Sequence, residues 1–321
     1  MNYPSYTFLF KAMPNYGGTM PVNGVELTYS YLELSKPTGK YISQVILRIL
    51  NMLLKKGFFR HLGNPCLPGV DMPVIDPVKG KEQFGTYANS CGLLLANVSG
   101  KQFIKDGIVV SGEPFMVIPI NTEWTNFEDY KASLTSKYRI RTNRVYALSE
   151  GVTKRNLNDA HIDTWILKCS QLLFDTIKNK TITIGNDLAL IMQSYHKVLQ
   201  DKYQLTGYFQ GENLIGFMGS MIDTDTIYAM HLGYDIAVGT PLHLYQRMMY
   251  DTIAYSIEKK VSLLNLGRTA PEIKSTLGAI PVENSFVFFS RSRIFTWLLK
   301  LYAKRYHKTP SYVLRHPFKN K

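Results

Sequence analysis

Two side chains near the end of one apolar strand pattern could carry out proton transfer. His231 and Asp235 flank the carboxyl end of the run Thr226–Tyr234. Imidazole titrates near neutral pH, so His231 is a candidate general base with Asp235 beside it. The structural alternative is that strand alternation buries His231 in the core and that Asp235 caps a turn. Such residues more often have these structural roles, and the sequence leaves both interpretations open.

Three polar residues lie at and just beyond the end of a second buried strand pattern, 261–266. Asn265 lies at the end of that strand, and Arg268 and Lys274 come shortly after it. Ligands of open α/β sheets bind beyond the carboxyl ends of strands. Arg268 and Lys274 are therefore candidates for binding a substrate carboxylate or a phosphate, and Asn265 is a candidate catalytic residue. The alternative for Arg268 is an ordinary ion pair with Glu272, one helical turn later.

A run of basic residues occurs earlier in the chain, in a segment with helical character. Helical spacing places Lys137, Arg141 and Arg144 on one face, with Arg139 elsewhere on the helix. A face of this kind could bind an anionic substrate or cofactor, and Lys137 and Arg141 are predicted to bind substrate. The alternative is an exposed, solvated helix face.

The elements that must position these residues are clearest between residues 205 and 290. Three strand patterns, 205–210, 214–222 and 226–234, are joined by short polar connectors typical of antiparallel hairpins. A helix follows from Gly239, with Thr240 predicted as its N-cap, and then the buried strand 261–266. Strand, helix and strand in this order predict a crossover with the two strands parallel.

The predicted crossover has a consequence for ligand binding. Where the two parallel strands diverge, backbone groups of Leu232, Gly233 and Tyr234 lose a ladder partner. The following helix offers N–H groups and a positive dipole end at Gly239–Leu242. We therefore predict that an extended, phosphate-bearing cofactor binds there, at Leu232, Gly233, Tyr234, Gly239, Thr240 and Leu242.

The chain resembles the tandem branch of the GNAT (general N-acetyltransferase) superfamily, which includes Fem-type peptidyltransferases and BioF2-like acetyltransferases, and the resemblance is strongest in two segments. They are Tyr208–Gly216, a strand pair around a turn, and Asn265-Leu-Gly-Arg268 followed by Lys274 and Leu277-Gly278. The second departs from the family in having Asn265 where an Asp is common. The Gly-rich pyrophosphate loop of typical GNAT enzymes is also missing, and only Gly239 remains of it.

The resemblance implies an α/β fold of two GNAT-like domains, each a central mixed sheet with helices on both faces. It also implies transfer of an acyl group from acetyl-CoA or another acyl-CoA to an amine, without a metal. A backbone N–H near Leu232 or Gly233 would stabilise the oxyanion. The acceptor would be a small molecule or a peptidoglycan or lipid precursor. We predict a first, degenerate domain over residues 1–150, with the substrate groove, and a catalytic domain over 151–321.

The first half of the chain gives weaker patterns. Residues 25–34 alternate as a strand, 41–56 have helical spacing with a strand over 41–47 as the competing interpretation, and 57–65 end as a strand at a Gly-Asn turn. Residues 81–98 are predicted as a helix, whereas 107–110 and 114–120 are predicted as strands. A polar segment, 153–163, is suited to joining two domains.

Charge and composition limit the function classes. The net charge is +13. No Asp or Glu follows Glu283, and a basic amphipathic helix is predicted over 293–306. That helix could dock on its own domain, which is the commoner case, or lie on an anionic membrane. The three cysteines have no CxxC spacing, which argues against a zinc site or a disulfide framework. Without a signal peptide or spanning segment, we expect a cytoplasmic protein, with membrane contact limited to the inner face.

Two other classes compete with the acyl-CoA enzyme. One is an aminoacyl-tRNA-dependent Fem-type peptidyltransferase, whose basic surface would bind tRNA. It ranks second because the long helical hairpin usual in that group is missing here. The other is a non-enzymatic basic module that binds nucleic acid or an anionic membrane, and the absence of the Gly-rich loop favours it.

Overall fold

The computed structural model describes residues 17–22, 25–31, 33–34, 43–55, 59–62, 92–99, 108–158, 161–177, 182–183, 188–290, 292–306 and 312–319. The fifteen strands are β1 Gly17–Val22, β2 Val25–Tyr31, β3 Glu33–Leu34, β4 Phe59–Leu62, β5 Gly92–Ser99, β6 Ile108–Ser111, β7 Phe115–Pro119, β8 Val152–Asn156, β9 Ile182–Thr183, β10 Tyr203–Gln210, β11 Asn213–Asp223, β12 Thr226–Tyr234, β13 Leu263–Asn265, β14 Ile280–Val282 and β15 Asn284–Ser290 within the described ranges. The helices there are α1 Gln44–Lys55, α2 Phe127–Ser133, α3 Ser136–Leu148, α4 Ile162–Ile177, α5 Leu188–Leu199, α6 Ile236–Gly239, α7 Leu244–Glu258, α8 Pro271–Ser275 and α9 Arg293–Tyr306.

The chain folds into two compact units, each made of separate stretches of sequence. The first comprises Met1–Glu113, Asn179–Asp187 and Glu283–Pro310, and the second comprises Pro114–Lys178, Leu188–Val282 and Ser311–Lys321. The predicted boundary after residue 150 differs from this division in where it places residues 114–150, 179–187 and 283–310. The reason lies in strand pairing, because β7 joins the sheet of the second unit and β15 joins the sheet of the first.

The first unit contains a six-stranded sheet in the order β1-β2-β4-β5-β15-β6. Its strands are antiparallel except for the parallel pair β4 and β5. The predicted strands at 25–34 and 57–65 are present as β2, β3 and β4, and α1 confirms the helical interpretation of 41–56.

The helix predicted over 81–98 is wrong for its described part, because Gly92–Ser99 forms strand β5. This strand pairs with β4 on one side and with β15 on the other. An interior strand carries a continuous apolar run, here 93–96, and such a run can match helical spacing by chance. The remainder of the predicted helix, 81–91, lies outside the described residues.

The second unit contains a seven-stranded mixed sheet in the order β14-β7-β13-β12-β11-β10-β8. Strands β10, β11 and β12 form the predicted antiparallel meander, and β12 and β13 are the one parallel pair in this sheet. The predicted order of strand, helix and parallel strand is therefore confirmed. Strand β7 inserts between β13 and β14 and is antiparallel to both.

Helices cover both faces of the second sheet. Gly233 meets the backbone of α4 at Leu173, whereas the ring of its neighbour Tyr234 lies 6.5 Å from that of Tyr245 on α7. Because consecutive strand residues point to opposite faces, α4 and α7 lie on opposite sides of β12. Helix α5 packs with α4, and helices α2 and α3 pack with α7.

The C-terminal segment 312–319 is anchored on the second unit. Phe318 forms an isolated antiparallel bridge with Leu134, and the carbonyl of Pro317 accepts from the Thr135 N–H at 2.8 Å. The ring of Phe318 packs against Trp124 with centroids 5.7 Å apart, and both partly buried rings pack against the main hydrophobic core. These contacts fix the position of the preceding residue Arg315.

Candidate functional site

A gap opens in the second sheet where β12 extends beyond the end of its parallel neighbour β13. Strand β13 pairs with β12 only from Thr226 to Tyr228, and the last paired residue of β13 is Asn265. Strand β12 then continues to Tyr234 while paired with β11 on its other edge. No residue of β13 accompanies β12 over this stretch. The predicted divergence of the two strands is confirmed, and it exposes one edge of residues 229–234.

Helix α4 passes close to this exposed strand end. A Cβ atom on Gly233 would lie 2.5 Å from the backbone nitrogen of Leu173, so only glycine fits there without displacing the helix. The N–H of Tyr234 donates to the hydroxyl of Thr176, also on α4, at 3.4 Å. The structure therefore already uses one of the backbone donors that the sequence analysis assigned to a cofactor.

The ladder geometry shows which backbone donor faces the gap. The Asp235 N–H donates to the carbonyl of Ile215 on β11, so the Tyr234 N–H points away from β11. Donors alternate along a strand, which turns the Gly233 N–H toward β11 and the Leu232 N–H toward the gap. Of the two predicted oxyanion donors, Leu232 has the suitable direction and Gly233 does not.

His231 lies among aromatic rings on the α4–α5 face. Its Nδ1 is 3.3 Å from the hydroxyl of Tyr203, and the ring of Tyr195 packs edge-on with centroids 5.1 Å apart. Burial lowers the pKa of His231 to about 4, because the charged imidazolium loses its hydration there. The ring is neutral at pH 7 and a weak base, which favours the structural interpretation over the catalytic one.

Asp235 acts as the N-cap of the short helix α6. Its carboxylate accepts from the backbone N–H groups of Ala237 at 2.9 Å and Val238 at 3.1 Å. The side chain is exposed, and the residue has the extended backbone usual for a cap. This geometry matches the capping alternative, and the catalytic role of Asp235 stays a prediction.

The helix predicted to begin at Gly239–Thr240 begins later. Thr240 is the C-cap of α6, with its hydroxyl donating to the carbonyl of Ile236 at 2.6 Å, and α7 starts at Leu244 after the N-cap His243. Proline and threonine suit either the first turn of a helix or the turn before it, so their types did not decide the boundary.

Gly239 and Leu242 lie in the short helix and turn that lead into α7. A Cβ atom on Gly239 would lie 2.7 Å from the ring of Tyr234, so this glycine permits close packing. Leu242 is partly buried and packs against the hydrophobic core. The helix dipole end assigned to 239–242 is at residues 243–246.

The loop after β13 has an unusual backbone. Gly267, Thr269 and Ala270 all have positive φ values, of 73°, 71° and 48°. This conformation is unfavourable for a β-branched residue such as Thr269 and persists only where the surroundings impose it. Strain of this kind concentrates at functional sites, which directs attention to Arg268 between these residues.

Asn265 and Lys274 hold this loop in place. The side-chain oxygen of Asn265 accepts from the Gly267 N–H at 2.8 Å. The ammonium group of Lys274 donates to the carbonyls of Arg268 at 2.6 Å and Gly267 at 3.3 Å, although the residue is only 3% exposed. Arg268 itself is partly exposed, and its guanidinium lies 5.7 Å from the ring centre of Phe115. Asn265 and Lys274 are thus positioning residues in the structure, and Arg268 is the side chain they position.

The basic run on α3 lines a separate cavity of about 520 Å³ in the second unit. Lys137, Arg141 and Arg144 all face it, as their helical spacing predicts. His243, Thr276 and Arg315 complete its polar lining. No motif predicted these three residues, and the basic composition of the C-terminal segment was the only signal that pointed to Arg315.

Neither a metal site nor a membrane span is evident in the described residues. They contain no group of three or more His, Cys, Asp or Glu side chains that could hold a metal ion. In the same part of the chain, no helix has the length and apolar character needed to cross a bilayer.

Comparison with known proteins identifies the fold. No protein-family model matches the chain, and no curated protein matches it either. Among solved structures, L-PGS from Bacillus licheniformis is similar with a TM-score of 0.56 and 8% identity, over 96% of this chain and 98% of that one. FemX matches with a TM-score of 0.51 and 10% identity, over 92% and 93% of the two chains.

A third structure is the C-terminal domain of an Agrobacterium fabrum protein described as a lysylphosphatidylglycerol synthetase. It matches with a TM-score of 0.53 and 9% identity, over 93% of this chain and 91% of that domain. At such identities the likeness concerns the fold alone. The chain shares the mixed α/β fold of these proteins over nearly its full length, which agrees with the predicted fold class.

Proposed function

We propose that this protein transfers an acyl group from an activated donor to an amine, at the gap between β12 and the loop after β13. The observation that carries the proposal is the arrangement of that gap. The Leu232 N–H faces it from one strand, and the other strand ends in a strained loop that presents Arg268. Sites for extended ligands form where neighbouring parallel strands separate at their carboxyl ends.

The reaction needs few side chains. The amine attacks the carbonyl carbon of the donor, a C–N bond forms, and the bond from carbon to the leaving group breaks. The Leu232 N–H would stabilise the negative charge on the carbonyl oxygen. Arg268 would bind an anionic group of one substrate and so orient it. The amine proton passes to water, because His231 is a weak base and Asp235 is engaged in capping.

Acyl-CoA is the first candidate donor, and aminoacyl-tRNA is the second. The GNAT-like arrangement of the sheet favours a thioester donor. Its leaving group is a thiolate, which takes up a proton. The second donor is favoured by the full-length likeness to L-PGS and FemX and by the net charge of +13. In that case a C–O bond breaks, and the tRNA hydroxyl takes up the proton.

A donor panel tests the proposal directly. Purified protein would be incubated with acetyl-CoA, longer acyl-CoAs or charged tRNA, together with amines that include peptidoglycan precursors and aminoacylated or amine-bearing phospholipids. Mass spectrometry would detect the amide product. We expect one donor class to give product with wild-type protein and none with Arg268→Ala. Absence of product from every donor and acceptor combination, with folded protein, would contradict the proposal.

We also propose that helix α9 contacts an anionic membrane surface. Ile294, Trp297 and Leu301 are exposed by 72%, 60% and 47%, at spacing that places them on one face. The helix docks on its own unit as expected, since it packs against β6 and β15, and these three apolar side chains lie outside that contact. Arg293 and Lys300 are exposed as well. An exposed apolar stripe with Trp and flanking basic residues is typical of helices that lie in the membrane interface.

A further inference from the structure

The cavity beside α3 is lined by basic groups from separate parts of the chain. Lys137, Arg141 and Arg144 come from α3, His243 precedes α7, and Arg315 comes from the C-terminal segment. Its lining includes no Asp or Glu. Three arginines and a lysine around one cavity repel one another, and a bound anion would relieve that repulsion.

These charges are available for binding. Among the described residues, no carboxylate forms an ion pair with Lys137, Arg141, Arg144 or Arg315. All four residues are exposed at the rim of the cavity. By contrast, Arg247 elsewhere in the same unit is paired with Asp251 at 3.1 Å. The fold therefore leaves the basic groups of the cavity without a counter-charge from this part of the chain.

Backbone hydrogen bonds hold the segment that carries Arg315 against the rest of the second unit. The backbone N–H of Arg315 donates to the hydroxyl of Ser275 at 3.0 Å. Two residues earlier, the Val313 N–H donates to the carboxylate of Glu272 at 3.3 Å. Further along, the Lys319 N–H donates to the carbonyl of Ser133 at 3.0 Å. The C-terminal segment is thus held on both sides of Arg315, which fixes the backbone of this residue beside the cavity.

The start of α7 adds a directed positive field. This helix is 15 residues long, and the side chain of its described N-cap, His243, makes no capping hydrogen bond. Instead, His243 Nδ1 lies 2.7 Å from the side-chain oxygen of Gln246, to which it donates. This leaves the other ring nitrogen of His243, Nε2, as a further polar atom at the start of α7. The helix terminus reinforces the basic side chains, because its N–H dipoles also favour negative charge.

The remaining lining limits the kind of anion. Tyr138 and Val145, exposed by 8% and 2%, form an apolar floor, and Ile140 is 67% exposed at the side. The Thr276 hydroxyl adds one neutral polar group. A volume of about 520 Å³ exceeds what a single inorganic ion requires and falls in the range of small-molecule sites.

We propose that this cavity binds a phosphate ester carrying at least two negative charges, joined to an apolar or aromatic group that covers Tyr138 and Val145. The proposal rests on the transferase function above, for which it supplies the binding site of a phosphorylated substrate. Forked guanidinium groups match phosphate oxygens in geometry, and three of them converge here. Nucleotide phosphates of a coenzyme and the backbone phosphates of tRNA share this chemistry.

Calorimetric titration at constant ionic strength tests the site. The probes are inorganic pyrophosphate, coenzyme A and uncharged tRNA, each added to the full-length protein. The test variant is Arg141→Gln/Arg315→Gln, and the matched control is Lys154→Gln/Lys197→Gln, two exposed lysines of the same unit that do not line the cavity. We expect the cavity variant to lose roughly 10- to 100-fold in affinity for pyrophosphate, as charge-assisted hydrogen bonds contribute. The control should retain wild-type affinity.

The probes also identify the source of the phosphate. Displacement of pyrophosphate by coenzyme A identifies a coenzyme nucleotide, and displacement by tRNA alone identifies nucleic acid. Equal affinity in the cavity and control variants, with unchanged melting curves, would overturn the proposal. So would the absence of saturable pyrophosphate binding to wild-type protein.

Binding and transfer fail separately. Pyrophosphate binding that depends on Arg141 and Arg315, without transfer from any donor, would leave the cavity assignment standing and overturn the proposed function. If instead the cavity variant still transfers the acyl group with an unchanged KM for both donor and acceptor, the proposed function stands and the cavity assignment is overturned.

Discussion

The ammonium group of Lys274 donates a hydrogen bond to the backbone carbonyl of Arg268 at 2.6 Å. Lys274 is buried, and the loop that it holds contains two non-glycine residues with positive φ. A buried lysine thus offsets the cost of a strained backbone beside a candidate substrate-binding arginine. Replacing Lys274 and Arg268 one at a time should separate the structural role of the lysine from the substrate-binding role of the arginine.

Replacement of Lys274 by methionine should destabilise the protein. Methionine fills similar space but cannot donate to either carbonyl. The Gly267 carbonyl would keep its bond from the Met116 N–H, whereas the Arg268 carbonyl would lose the ammonium donor. We expect a loss of about 1–3 kcal/mol in the free energy of unfolding, measured by urea denaturation. The exposed Lys202→Met is the control and should change stability little. Unchanged stability of Lys274→Met would show that the ammonium group does not hold the loop.

Replacement of Arg268 by alanine should abolish transfer and leave the protein folded. The carbonyl that Lys274 contacts belongs to the backbone and survives the substitution. The contact with the Phe115 ring is lost, at a cost of about 0.5–1 kcal/mol. Activity assays and melting curves on the same preparation measure the two effects. A large fall in melting temperature together with lost activity would instead support a structural role for Arg268.

Replacement of Gly233 by alanine should displace α4 from β12. The added methyl group would lie 2.5 Å from the backbone nitrogen of Leu173, and backbone atoms cannot move as a flexible side chain does. We expect a loss of about 1–3 kcal/mol in the free energy of unfolding. Gly151→Ala is the matched control, because no atom lies within 4 Å of its added methyl group. Equal stability of the two variants would contradict this packing.

His231 should make the protein sensitive to mild acid. Burial lowers its pKa to about 4 in the folded state, whereas the unfolded chain binds this proton near pH 6.5. The unfolded state therefore holds more protons between these values, and stability falls as the pH drops from about 6.5 to 4. Each unit of pKa difference corresponds to about 1.4 kcal/mol, and since the ring is half-buried we expect this residue to account for roughly 2 kcal/mol.

The comparison of wild type with His231→Gln isolates that effect from other titrating groups. Glutamine can still hydrogen-bond the Tyr203 hydroxyl and does not titrate. Urea denaturation at several pH values should show a shallower decline for the variant between pH 6.5 and 4. Parallel declines would show that His231 is not buried as a neutral ring.

Helix α9 should bind vesicles that contain anionic phospholipid. Cosedimentation with phosphatidylglycerol vesicles should exceed that with neutral phosphatidylcholine vesicles, and added salt should weaken it because basic residues contribute. The variant Ile294→Gln/Trp297→Gln should bind several-fold less, since buried apolar area supplies much of the affinity. Val313→Gln, an exposed apolar residue outside the helix, serves as control. Equal binding of both variants would remove α9 from the contact.

The sequence by itself determined the local elements of the seven-stranded sheet in the second unit. Apolar, aromatic-rich runs of strand length located β10, β11 and β12, and a short apolar run located β13, because composition and strand length are local properties. The order of strand, helix and strand likewise predicted the parallel pair and its divergence. The helical spacing of Lys137, Arg141 and Arg144 was sufficient to place them on one side of α3.

Tertiary structure decided which distant segments meet. Strand β7 enters the sheet of the second unit and β15 enters that of the first, which no local pattern encodes because strand pairing depends on partners far along the chain. The same holds for Arg315, which reaches the basic cavity only because Phe318 and Pro317 dock beside Leu134. It also holds for His231, whose pKa is set by the burial that the surrounding fold imposes. The sequence supplied residue types and periods, and long-range packing converted them into a gap, a strained loop and a charged cavity.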